Sequence, residues 1–276
     1  MERMVLGFDG SPASEAALEW AAERARGERV ELAVVLVTNM FLSDRVEADR
    51  ILDAAVHRWQ SLAPDSPADV VRLDGVMPAT LTDSARGAGL LVLGIRPGSR
   101  RRSVLGGGMP LRAALRSGAP TVLVPEGWTA GDDPVVVGLD DDDSSQEAVH
   151  FAAAAATSAE VPLRVVHSWL MGGSHVHGTT AVQPSPHRVA AEHARILDAA
   201  VARVRTDFPE LDVRPELVRD NPTSALTRAA ARSSLVVIGS HGRGLVAGAL
   251  LGSVGQDLVG SLERPIAVVP ASTRGV

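Results

Sequence analysis

Asp140 and the stretch Gly239–Val254 are the residues of this chain whose types and spacing best suit binding chemistry. The stretch reads GSHGRGLVAGALLGSV, five glycines in sixteen residues, between an apolar run and a helix-like segment. Glycine is costly to order, so such a cluster between regular elements marks a special turn or a close approach to a ligand. Its last residues, Gly252, Ser253 and Val254, open the helix-like segment. Unpaired backbone N–H groups and the helix dipole at such a start attract an anion. Gly239 and Gly242 let the other side of the loop come close to a bound group. Asp140 ends a different apolar run; its carboxylate accepts hydrogen bonds from a ribose or a base but repels phosphate. Together they fit a ligand with an anionic tail and a neutral, hydrogen-bonding head, and a nucleotide is such a molecule. The same residues also admit a reading without a ligand. Ser253-x-x-Gln256 and Ser144-x-x-Glu147 are capping boxes, and Asp140 can cap the helix that follows it.

Regular elements must hold these residues in place. In the second half, strands are expected near 135–140, 163–169, 213–218, 235–239 and 266–270, and helices near 144–157, 187–207, 222–233 and 253–263. The runs LVVIG and IAVVP lack polar alternation, as strands covered on both faces do. Alternating strands and helices predict an α/β fold with a parallel sheet and helices on both faces. Ligands in such folds sit beyond the carboxyl ends of the strands, at the switch point of the sheet.

The chain is a duplication. VLGFDGSPASEAALEWAAERA near the start and VVGLDDDDSSQEAVHFAAAAA near the middle open alike, each with an apolar run ending at an aspartate, Asp9 or Asp140. Gly94 to Pro125 and Gly239 to Pro270 have the same length. The offset between halves is 131 residues at the aspartates and 145 at the glycines, which fits an insertion around LMGGSHVHGTTAVQPSPHR. The expected domains are residues 1–126 and 134–276, joined through the turn-rich EGWTAGDDP.

Composition narrows the function classes. With 276 residues, 45% hydrophobic and 22% charged, the chain suits two packed globular domains. A net charge of -6 argues against nucleic-acid and acidic-membrane partners. There is no cysteine, so disulfides and cysteine-ligated metals are excluded. There is no lysine, which excludes a Walker A site and Schiff-base chemistry. The opening residues carry no apolar h-region, and no run reaches the roughly 20 apolar residues of a membrane span. The expectation is a cytoplasmic protein.

Gly239, two residues, Gly242, nine residues and then Gly252-Ser253 resembles the ATP-binding signature of the universal stress protein family, and the duplicated layout resembles its tandem members. The resemblance implies two tandem Rossmann-like domains, each a five-stranded parallel sheet of order 3-2-1-4-5. It implies ATP as the ligand, with Mg as an optional companion. By matching position, Asp140 would contact the adenosine, the backbone at Ser168 the adenine, and Gly239 the ribose. Gly242, Gly252, Ser253 and Val254 would hold the phosphates. The last strands, TVLVP and IAVVP, commonly mediate dimerisation in this family. Pairing Val122–Val124 with Ala267–Val269 would make an intrachain pseudo-dimer, and a further homodimer is compatible with it.

The first half departs from this pattern. Asp9 and Gly94 are kept, with Val37 at the place of Ser168, and Gly98, Gly107 and Gly108 complete a weaker candidate site. Pro97 stands at the place of Gly242, Gly108 replaces Ser253, and Pro110 matches Gly255, so donors and a hydroxyl are missing. Arg96, Arg100, Arg101 and Arg102 lie in the same loop and suit phosphate, though a solvated basic loop fits them as well.

No other chemistry reaches that specificity. His175, His177, His187 and His193 lack a demanding metal spacing, and no metal site is expected. His241 lies in the loop and fits a plain loop side chain as well as a phosphate contact. The acidic run 140–143 suits magnesium only together with ligand phosphates. No nucleophile, base and orienter recur at recognisable spacing, and no G-x-S-x-G elbow is present. The resemblance implies an ATP-binding regulator of stress response with at most slow hydrolysis. A nucleotide-hydrolysing or nucleotidyl-transfer enzyme on the same fold, and a protein-interaction scaffold, remain the alternatives. The sequence names no protein client.

Overall fold

A computed structural model describes residues 2–27, 29–39, 44–96, 108–140, 144–170, 185–240, 255, 257–259 and 263–271. The first half runs β1 (Glu2–Gly7), α1 (Pro12–Ala25), β2 (Val30–Thr38), α2 (Arg45–Leu62), β3 (Ala68–Asp74), α3 (Ala79–Ser84), β4 (Leu90–Ile95), α4 (Met109–Arg116) and β5 (Thr121–Pro125). The second runs β6 (Val135–Leu139), α5 (Ser144–Ser158), β7 (Leu163–Ser168), α6 (Pro186–Asp207), β8 (Val213–Val218), α7 (Pro222–Ala230), β9 (Leu235–Ser240) and β10 (Ile266–Pro270). Residues 255 and 257–259 are also helical, inside the segment expected at 253–263. The expected α7 is three residues too long. The helix stops at Ala230, whose carbonyl accepts the hydroxyl of buried Ser233.

Local chemistry starts these helices. Ser11, Ser185 and Asn221 each place a side-chain oxygen on an early backbone N–H, and each is followed by proline in the first turn. Proline suits that place because its missing N–H would have had no helical partner.

Each half has strand order 3-2-1-4-5, and the two fuse into one ten-stranded sheet, β3-β2-β1-β4-β5-β10-β9-β6-β7-β8. Pairing is parallel throughout except at the seam, where β5 meets β10 antiparallel. The seam pairs Leu123 with Ile266, Val122 with Ala267 and Thr121 with Val268. The paired residues are thus 121–123 and 266–268, one position earlier in each strand than expected. The pairing is two-fold symmetric: Val122 lies opposite its own duplicate, Ala267, and the flanking pairs exchange duplicates.

The strands near the seam are buried along their length, which explains their unbroken apolar runs, whereas the edges β3 and β8 are mostly part-buried or exposed. The long helices α1, α2, α5 and α6 cover one face with a single core that crosses the seam. The shorter α3, α4 and α7 cover the other face, where the core is split in two. Leu111 and Ala114 of α4 pack into the second half's cluster, while Ala113 packs into the first's.

Candidate functional site

β6 is apolar to its end, and Asp140 is the next residue, half-buried on the rim. Its N–H donates to the Ser145 hydroxyl at 2.9 Å, and Ser145 is 3% exposed in the first turn of α5. The turn from strand to helix is therefore closed by a buried hydroxyl. Asp9 repeats the arrangement with a longer bond from its N–H to Ser14, 3.4 Å. In addition the Ser11 N–H donates to the Asp9 carboxylate at 3.0 Å. Burial pushes the Asp9 carboxyl up, but hydrogen bonds from Ser11 and Ser14 outweigh it and hold the group below the usual carboxylate value.

β7 and β9 flank β6 on either side, both parallel to it. Ser168 ends β7 and Gly239 lies next to the last residue of β9. Asp140, Ser168 and Gly239 therefore come together at the carboxyl ends of three adjacent strands. β6 pairs with β9 over Val135–Val137 and Leu235–Val237, while β6 continues to Leu139 and β9 to Ser240. This is the point where the strand order reverses, the place at which open α/β sheets take ligands. Gly242, Gly252, Ser253 and Val254 lie outside the described residues.

In the first half, Asp9 lies two residues beyond β1, and Val37 and Gly94 lie next to the last residues of β2 and β4, so the three meet at the matching rim. Gly94 has a structural reason of its own. A Cβ there would collide with the backbone of Ala13 and Ser14, so glycine lets the start of α1 rest on β4. Gly108 is the N-cap of α4 and makes no side-chain capping bond. Pro110 sits in the first turn and has no N–H to offer. Arg96 is engaged by Glu126 at 3.0 Å. Pro97, Gly98, Gly107 and Arg100–Arg102 lie outside the described residues.

Two histidines belong to this rim although no spacing in the sequence points to them. His167, one residue before Ser168, is 2% exposed, and its Nδ1 lies 2.8 Å from the Leu139 carbonyl. Its Nε2 lies 2.8 Å from Nδ1 of His193 on α6. His193 is thus part of the rim and not a plain surface histidine. The available signal was internal: the first half has Leu36 where the second has His167. His187 is exposed, and His175, His177 and His241 fall outside the described residues. Among the described residues, no three His, Cys, Asp or Glu side chains converge on a metal position. Nor is any helix among them long and apolar enough to cross a membrane.

Two clefts of about 550 and 360 Å³ open at the amino ends of the strands, beside Pro162 and Asp212 and beside Asp133 and Ser234. Both lie at the opposite end of the sheet from Asp140.

Comparison with known proteins agrees with the duplicated architecture. The model of the universal stress protein family matches residues 1–125 and again residues 133–270. A universal stress protein of Mycobacterium tuberculosis strain H37Rv is 28% identical over 298 residues, covering 96% of this chain and 94% of that protein. A second from the same strain is 27% identical over 295 residues, covering 98% and 96%. Among solved structures, a universal stress protein from Archaeoglobus fulgidus superposes with a TM-score of 0.69 at 17% identity, covering 98% of both chains. The cytoplasmic domain of a prokaryotic cation chloride cotransporter superposes at 0.57 with 10% identity, covering 98% of this chain and 95% of that one. These two structural likenesses concern the fold alone.

Proposed function

This chain belongs to the universal stress protein family, and on that premise we propose that its second half binds an adenine nucleotide, with ATP as the ligand. The protein then acts as a nucleotide-responsive regulator of stress response and not as a metabolic enzyme. One observation carries the reading: Asp140, Ser168 and Gly239 share the carboxyl rim of three adjacent strands at the switch point. The carboxylate suits hydroxyl and amine hydrogens of a nucleoside. The spacing of Gly242, Gly252 and Ser253 suits its phosphates, with Mg accompanying them where phosphate charge demands it.

Regulation is favoured over turnover because the chain has no lysine and its sequence holds no nucleophile, base and orienter at recognisable spacing. The two expected domains, 1–126 and 134–276, act in this reading as one body, since the sheet runs through both.

Calorimetric titration of the full chain with ATP tests the proposal. Asp140→Ala keeps the backbone bond to Ser145, so it is expected to fold and to bind at least ~10-fold more weakly, the loss of about one charge-assisted hydrogen bond. Gly252→Val adds bulk at the residue assigned to phosphate and is expected to weaken binding as well. Folded variants that bind like the wild type would show the site to be misplaced. ATP turnover faster than about one per second, abolished by Gly252→Val, would favour the enzyme reading. Wild type that binds no adenine nucleotide would favour the scaffold.

A further inference from the structure

Buried His167 and part-buried His193 form a hydrogen-bonded pair at the end of β7. The Leu139 carbonyl can only accept, so His167 Nδ1 carries a hydrogen. In the form that carries a hydrogen on Nδ1 alone, His167 Nε2 accepts and Nδ1 of His193 donates to it; with both nitrogens protonated the direction of that bond reverses. The His193 ring stacks on Trp169, with centroids 5.6 Å apart and planes 19° from parallel. The Arg219 guanidinium lies 5.5 Å from the centre of the same indole. A chain of contacts thus runs from the end of β6 across β7 and α6 to the end of β8.

The first half provides an internal control. In β1–β2 and β6–β7 the register is the same, Gly7 opposite Val35 and Gly138 opposite Val166, so His167 corresponds to Leu36 and Trp169 to Thr38. Helices α2 and α6 end in matching caps at Ala63 and Phe208, so His193 corresponds to Ala48. The β2–β3 and β7–β8 registers match as well, which makes Arg219 the counterpart of Asp74. Leu36 and Ala48 are buried and apolar, and the Thr38 hydroxyl donates to Asp74 at 2.6 Å. The fold is therefore complete without imidazoles at these places. A buried imidazole at residue 167 is harder to accommodate than the leucine it parallels.

We infer that His167 and His193 are a positioning pair for the ligand site of the second half. By holding the Leu139 carbonyl, the pair fixes the backbone one residue before Asp140. By stacking on Trp169, it sets that ring beside Ser168, with a cation at the rim where the first half has a carboxylate. The pair thereby sets the second half's rim apart from the first's. This inference rests on the nucleotide reading above.

The test compares ATP binding by the full wild-type chain, by His167→Leu with His193→Ala, and by His193→Gln. The double variant installs the first half's own residues and is expected to fold, yet to bind about 10-fold more weakly, one hydrogen bond's worth of positioning. Glutamine still offers an N–H to His167 and is expected to restore most of the affinity. If the double variant does not fold, His193→Ala, which removes only the half-exposed ring, carries the same comparison. Nitrogen-15 NMR of the imidazoles is expected to find the His167 hydrogen on Nδ1. Wild-type affinity in the double variant, or a hydrogen on Nε2 of neutral His167, would overturn the inference and leave the nucleotide proposal standing. A wild type that binds no ATP would instead remove the nucleotide proposal, and this inference with it.

Discussion

Asp9 and Asp140 occupy the same place in two copies of one fold, yet their surroundings differ. Asp140 is half-buried with its N–H drawn tightly to Ser145, while Asp9 is exposed with a longer bond from its N–H to Ser14; the Asp9 carboxylate accepts the Ser11 N–H. For Asp9 the favoured form is the charged one, so its carboxyl titrates lower in the folded chain than in the unfolded one. The sign of the consequence follows from linkage. The stabilisation is fully present above the ordinary carboxylate value of about 4 and is lost as pH falls through the lowered one. Solvent screening at this exposed residue keeps the effect under about 1 kcal/mol. Asp9→Asn is therefore expected to be slightly less stable than wild type near neutral pH. The gap is expected to close as the solution is acidified toward about pH 3. Urea unfolding at several pH values measures it, and a gap that widens in acid would contradict the assignment of those hydrogen bonds to the charged form.

At the scale of elements, the contact between α1 and β4 sets the shape of the first rim. Gly94→Ala places a methyl group against backbone of Ala13 and Ser14 that has little freedom to yield. A loss of about 1–3 kcal/mol is expected, as for other overpacked sites, and denaturant unfolding checks it; an unchanged midpoint would mean that α1 moves away freely. How far such features could be read from sequence depends on how local their causes are. β9 and β10 were legible because both faces of each are covered, leaving apolar runs. α6 and α7 were legible at their starts because their caps and prolines are local. The end of α7 was not, because Ser233 stops it through a bond to Ala230 and no glycine announces the stop. Asp140, Ser168 and Gly239 were legible as strand ends, and the parallel order then brings them together. The structural reason for Gly94 lies 80 residues away in Ala13 and Ser14, which no periodicity reveals. His167 sits in an apolar strand, where its partners, Leu139 and His193, come from two other elements.

At the scale of the whole molecule, the duplication has folded back on itself as an intrachain pair. Val122 faces its duplicate Ala267 across the seam, and Thr121 and Leu123 face the duplicates of each other. That is the self-complementary pattern of a two-fold interface, here between halves that are free to diverge in sequence. The two rims differ. The second half keeps Gly242, Gly252 and Ser253 in its sequence and carries His167, His193 and Arg219; the first has Pro97, Gly108 and Pro110 with Leu36, Ala48 and Asp74. Pro110 removes one N–H from the start of α4, and Gly108 supplies no hydroxyl. Each lost charge-assisted hydrogen bond costs about 1.5–3 kcal/mol, so two of them weaken phosphate binding by more than about a hundredfold. Arg96 offers limited recovery because Glu126 already engages it, and exposed arginines are screened by salt. One strong ATP site per chain is therefore expected, in the second half, with at most a weak, salt-sensitive site in the first. Calorimetric stoichiometry at low and high salt, repeated with Asp140→Ala and Asp9→Ala, measures this directly. Two equal sites, with the first indifferent to salt, would mean that the first rim satisfies phosphate through donors other than those lost at Pro97 and Pro110.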